Sequence, residues 1–180
     1  FLPRTLWWIV RHPRRTCAYV AKELGQASDR SFDDAISPPL MLMFCVLIAH
    51  GIQLGLHTAN PDETGLLSHA IFDSEQNLLM YRSAAFAVWP LVAAVHLLHR
   101  QRKQIARETL RLPFFTQCYF TAPFAVVLSA GFGLITVPRE DTVVGGLALV
   151  ALAGLWYVGV QAYWFREELR LGWLRAFAHT

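Results

Sequence analysis

The sequence predicts an all-α polytopic membrane protein in which four transmembrane helices are flanked by amphipathic surface helices at both ends. Three observations lead there. With 54% hydrophobic residues, 16% charged residues and a mean hydropathy of +0.34 over 180 residues, the chain is too apolar for an ordinary soluble domain. The apolar residues are gathered into four long blocks with nearly all charges between them, as a hydrocarbon slab of about 30 Å demands. Lys and Arg are dense at alternate connections only, the pattern that orients spans in a bilayer.

Residues 1–37 form a basic amphipathic segment expected on the cytoplasmic side. Leu2, Leu6, Ile9, Pro13, Cys17, Val20 and Leu24 recur at steps of three and four, while Arg4, Arg11, Arg15 and Lys22 make a second stripe. Pro13 should break or kink the helix between them, because it has no backbone N–H to donate. With Trp7 and Trp8 at headgroup level, the segment is expected to lie on the leaflet by its apolar face. Arg4, Arg11, Arg14, Arg15 and Lys22 are the candidate headgroup-binding residues, each contributing about 1 kcal/mol near an anionic surface. The chain starts at Phe1 rather than Met, so the native amino terminus is expected upstream or removed, with any targeting signal.

Residues 38–165 form the transmembrane domain, with spans at about 38–56, 78–98, 112–137 and 142–165. Each approaches or exceeds the roughly 17 to 25 residues that cross hydrocarbon as a helix. The spans are apolar all round, whereas helices of a soluble bundle keep a polar face. Pro38-Pro39 starts the first span, and Pro90 and Pro123 should kink the second and third. The connection after the first span carries a short apolar patch, Leu66, Leu67, Ala70, Ile71 and Phe72, and is too small for a catalytic domain. In the cytoplasmic tail, 166–180, Leu169, Trp173 and Phe177 with Arg166, Arg170 and Arg175 suggest a second, shorter surface helix. Of the 16 Lys and Arg, all but Arg82 and Arg139 fall on one side, which places both termini in the cytoplasm and requires an even number of spans.

The polar groups within the spans are few. No Asp, Glu or Lys lies deep in any of them, which disfavours an ion-coupled pump. No nucleophile triad, phosphate-cradling glycine loop or H-E-x-x-H pattern is present, so an enzyme has no motif behind it. Cys17, Cys45 and Cys118 form no C-x-x-C pair, and neither a disulfide framework nor a metal site is expected. There remain His50, Gln53, His96, Gln117, Tyr119, Thr121, Ser129, Tyr157 and Gln161. By helical rise, His96, Gln117 and Gln161 sit roughly 3 to 8 Å from the cytoplasmic boundary, one depth on three helices. They form the candidate ligand or lipid layer; the structural alternative is interhelical hydrogen bonding, at about 0.6 kcal/mol per bond. His50 and His96 differ by about 10 to 15 Å along the normal, which disfavours a bis-histidine haem. No cofactor is expected, although a bound phospholipid is compatible with the inner layer. On the fourth span Gly145, Ala148, Ala151 and Gly154 recur at steps of three, a smooth strip on which another helix backbone can approach closely.

The order Trp7, Trp8 and Pro13, then a basic amphipathic stretch, then Ser37-Pro38-Pro39 opening the spans, resembles small bacterial Yip1-like membrane proteins, often labelled permeases. The resemblance covers about the first third of the chain and departs from the usual five spans of that family. It brings no functional residues. It implies a bacterial inner-membrane location and a membrane-organising, lipid-associated or accessory role.

Three functions follow as expectations. The favoured one is a non-catalytic accessory or scaffolding subunit that packs against a larger membrane partner or a second copy of itself. The others are a lipid-binding or permease-like small transport protein and a haem or quinone electron-transfer subunit. Membrane lipids are expected partners and nucleic acid is not.

Overall fold

The computed structural model describes residues 2–25, 36–56 and 75–170. The apolar patch from Leu66 to Phe72 and the predicted tail helix around Trp173 and Phe177 lie outside the described residues. Among the described residues there are six helices and no strand: α1 Leu2–Arg11, α2 Pro13–Leu24, α3 Pro38–Gly55, α4 Glu75–Arg100, α5 Arg107–Thr136 and α6 Glu140–Leu169. Helices α3 to α6 each contain a stretch long and apolar enough to cross a membrane, which makes four candidate spans among the described residues and marks the chain as a membrane protein. In hydrocarbon no water can satisfy a backbone N–H or C=O, and a helix satisfies nearly all of them within itself.

The helix ends follow local chemistry. Pro38 and Pro39 occupy the first turn of α3, where the missing N–H groups would have had no partner. Helices α4 and α5 continue through Pro90 and Pro123, both buried. At the end of α4, the Arg102 N–H donates to the His99 carbonyl (3.1 Å) and the Lys103 N–H to the Leu98 carbonyl (3.0 Å), with Arg102 in the left-handed conformation at φ 54°. That is a Schellman cap with arginine where glycine is usual.

Helix α5 is the hub. The other five helices all pack on it, and the eight consecutive residues Thr116 to Pro123 are all buried. More than two helical turns are therefore enclosed from every side. Helix α6 contrasts: 17% of its most apolar stretch is buried against 56% for α5, so most of α6 faces outward. The described helices alternate in direction. Gln101, just past α4, donates to the Glu168 carbonyl near the end of α6 (3.2 Å), and Tyr119 in the first half of α5 donates to the Ile36 carbonyl ahead of α3 (2.8 Å). This end also carries Arg100, Arg102, Lys103, Arg107, Arg166 and Arg170, and is called the basic end below.

Between α1 and α2 the chain turns at His12 (φ −133°, ψ 60°), and Pro13 begins the second helix. The break predicted at Pro13 thus falls one residue ahead of it. Trp8 and Tyr19 meet edge to face across the turn at 5.9 Å. Every member of the predicted apolar stripe is buried or half-buried, and Arg4, Arg11, Arg15 and Lys22 are exposed. The apolar face, expected to rest on lipid, packs largely on the protein. Ile9 and Val20 are fully buried in the same cluster as Met41, Tyr119, Val160 and Trp164. The indole N–H of Trp156 donates to the Val10 carbonyl (3.3 Å). Trp156 is ten residues from Arg166, about 15 Å along α6, so α1 reaches well up the flank of the helix bundle.

Helices α5 and α6 come closest at Gly131 and Gly146. A Cβ built on Gly146 would lie 2.6 Å from the Gly131 carbonyl oxygen and 2.9 Å from the Ile135 nitrogen, and one on Gly131 would lie 3.1 Å from the Gly146 oxygen. Only glycine permits that approach of two backbones. Gly146→Ala is therefore expected to destabilise the protein by about 1 to 3 kcal/mol. The adjacent Gly145→Ala, with nothing within 4 Å of its Cβ position, should be neutral or stabilising by up to about 1 kcal/mol through helix propensity. Unfolding titrations in mixed micelles read the difference; equal effects of the two substitutions would contradict the close approach.

Candidate functional site

The inner polar layer is built where α5 and α6 cross near the basic end. Gln117 is fully buried and Gln161 is 4% exposed. Gln117 Nε2 donates to Gln161 Oε1 (3.0 Å) and Gln161 Nε2 donates back to Gln117 Oε1 (2.6 Å), a closed amide pair. One helical turn further in, the hydroxyls of Thr121 and Tyr157 lie 3.4 Å apart, and the Tyr157 ring stacks on Phe124 at 4.4 Å. Steps of four on both helices place both glutamines one turn nearer the basic end than Thr121 and Tyr157, so the two helices meet as an antiparallel ladder.

His96, the third member of the predicted layer, is on α4 and sets its ring edge-on against Phe165 at 5.6 Å. The structure therefore brings two of the three candidate residues into direct contact and joins to them a hydroxyl rung that the depth estimate did not select. The signal for that rung was present in the sequence. Thr121 and Tyr157 are each four residues from a glutamine, on the same helical face.

Chemically the amide pair is a fastener. Each glutamine uses its carbonyl and one N–H on the other, and burial keeps water from competing. Two cavities at the basic end are lined by other residues. One, of about 790 Å³, lies between Leu24 of α2 and Arg107 to Phe115 of α5; another, of about 330 Å³, is bounded by Cys17, Leu98, Thr116 and Trp164. Burial, with Glu168 nearby, pushes the Cys17 thiol up to about 12, so it stays protonated and is a poor nucleophile at neutral pH. Among the described residues no group of three or more His, Cys, Asp or Glu is placed to hold a metal ion.

The candidate headgroup residues Arg4, Arg11, Arg14, Arg15 and Lys22 are all exposed. Arg14 lies over the Tyr163 ring, 4.8 Å from its centroid, an interaction worth about 0.5 to 1 kcal/mol at an exposed site. The small-residue strip faces away from the other described residues. Ala148 and Ala151 are exposed, and the Cβ positions of Gly145 and Gly154 meet nothing within 4 Å. The intramolecular close approach uses Gly146 instead, about 100° around the helix from Gly145.

Replacing one member of the amide pair leaves the other buried without its partner. Gln117→Leu is expected to cost about 1 kcal/mol or more, and the double variant Gln117→Leu/Gln161→Leu to recover most of that loss. A double-mutant cycle on unfolding free energy measures the coupling; additive losses would show that the two amides do not act together.

No family model matches the chain, and neither a curated protein nor a solved structure matches it.

Proposed function

We propose that this chain is a non-catalytic membrane scaffolding or accessory subunit, whose outward face of α6 packs against a helix of another membrane protein or of a second copy. One observation carries the reading. Gly145, Ala148, Ala151 and Gly154 make a strip of small residues winding across the outward side of α6, which the described residues leave uncovered at exposed Ala148 and Ala151, while Val144, Leu147, Leu152 and Leu155 beside it are exposed as well. In a bilayer, apolar side chains gain little by leaving lipid for protein, so association rests on close backbone approach, which small residues allow. The closed amide pair fits the same reading, since its hydrogen bonds serve the fold.

In this reading the basic end faces the cytoplasm of a bacterial inner membrane, both termini lie on that side, and α1 and α2 serve as an amphipathic collar at that leaflet. The charge bias supports the orientation: Arg139, Glu140 and Asp141 lie at the opposite end, away from the cluster of arginines.

The strip is tested by weighing the complex after gentle extraction. The wild-type chain should run with a protein mass well above its own 20.4 kDa, and Ala148→Phe/Ala151→Phe should shift it to the monomer while keeping its helical circular dichroism. A wild-type monomer with no co-purifying protein would overturn the proposal. For orientation, a single cysteine appended after Thr180, in a chain whose three native cysteines are serine, should react with an impermeant maleimide in inverted vesicles only. Labelling in right-side-out cells would reverse the assignment.

A further inference from the structure

We infer that the groove between the end of α2 and the first two turns of α5 is a binding site for one anionic diacyl phospholipid, distinct from the exposed arginines of α1 and α2. The groove encloses about 790 Å³ and is graded along α5. Arg107 and Arg111 line it toward the start of α5, Phe114 and Phe115 line it further into the span, and Leu24 of α2 contributes to the apolar lining. Positions 107, 111, 114 and 115 share one helical face, so charge passes to aromatic surface over about 12 Å of helix. That gradient matches a phospholipid, phosphate above and acyl chain below.

The two guanidinium groups are one turn apart on an exposed surface, close enough for one phosphate to accept hydrogen bonds from both. Arg111 is held at the boundary. Its guanidinium carbon lies 5.5 Å from the centroid of the Phe115 ring, which puts a fixed positive charge directly over the apolar part of the groove. Glu108 also lines the groove and offsets one charge. Among the described lining residues the remaining excess is a single positive charge, complementary to a monoanionic headgroup such as phosphatidylglycerol and not to a zwitterionic one. Volume agrees with this occupant, since a pocket of several hundred Å³ holds a headgroup and the upper part of a chain.

The test is native mass spectrometry on the full chain in mild detergent, titrated with phosphatidylglycerol or with phosphatidylcholine of the same acyl chains. Retention of one phosphatidylglycerol in clear preference to phosphatidylcholine is expected, and Arg107→Gln/Arg111→Gln should weaken it roughly tenfold or more. Both arginines are exposed, so the variant should keep the wild-type circular dichroism. Arg139→Gln, which removes a charge from an exposed residue at the opposite end of the spans, should leave retention unchanged. Equal retention of the two lipids would overturn the inference, as would undiminished binding in the Arg107/Arg111 variant. So would competition by glycerol 3-phosphate at the same concentration as the lipid, which would show an anion site without a place for acyl chains.

Discussion

Gly131 and Gly146 allow the backbones of α5 and α6 to come so close that a single added carbon would strike a carbonyl oxygen. At the other end of the same pair, Gln117 and Gln161 are joined by two reciprocal hydrogen bonds. The contacts obey one antiparallel register, with 117 opposite 161, 121 opposite 157 and 131 opposite 146. They lie about 21 Å apart along α5. A steric contact at one end and a polar contact at the other leave α6 little freedom to slide or rotate against α5, the helix around which the rest of the bundle is arranged.

That arrangement is uneven. Helix α5 is enclosed by all the other helices, and α6 touches it along one side only. The enclosed helix carries Thr116, Gln117, Thr121 and Ser129, half of the buried polar groups among the described residues, and buried Gln161 of α6 turns toward it, because a polar side chain placed toward lipid would have no partner there. The outward side of α6 is correspondingly plain, apolar with small residues between larger ones. The two functional surfaces proposed here therefore lie outside the bundle core. One is a strip for another helix along α6, and the other a graded groove for a lipid at the start of α5.

The N-terminal helices show how a membrane flank can also be part of the fold. Their basic stripe is exposed and their apolar stripe covered, as an amphipathic helix requires. The cover, however, comes in large part from α5 and α6. Fully buried Ile9 and Val20, the Trp156 to Val10 hydrogen bond and Arg14 over Tyr163 tie them to the spans. Hydrophobic periodicity says which face of a helix is buried. It carries no information on whether lipid or protein buries it.

The sequence alone determined the four candidate spans, to within a few residues at most ends, because span length and hydropathy are local properties. It also determined the two faces of α1 and α2 and the depth shared by Gln117 and Gln161, since both follow from helical period and rise. Only the tertiary structure decided that α5 is the hub, that the glutamines close on each other, that Thr121 and Tyr157 extend the ladder and that Gly146 makes the contact while Gly145 faces outward. The reason is azimuth. A helix that is apolar all round has no hydrophobic face to point inward, so its rotation about its own axis is set by side chains on neighbouring helices, and those come together only in the folded chain.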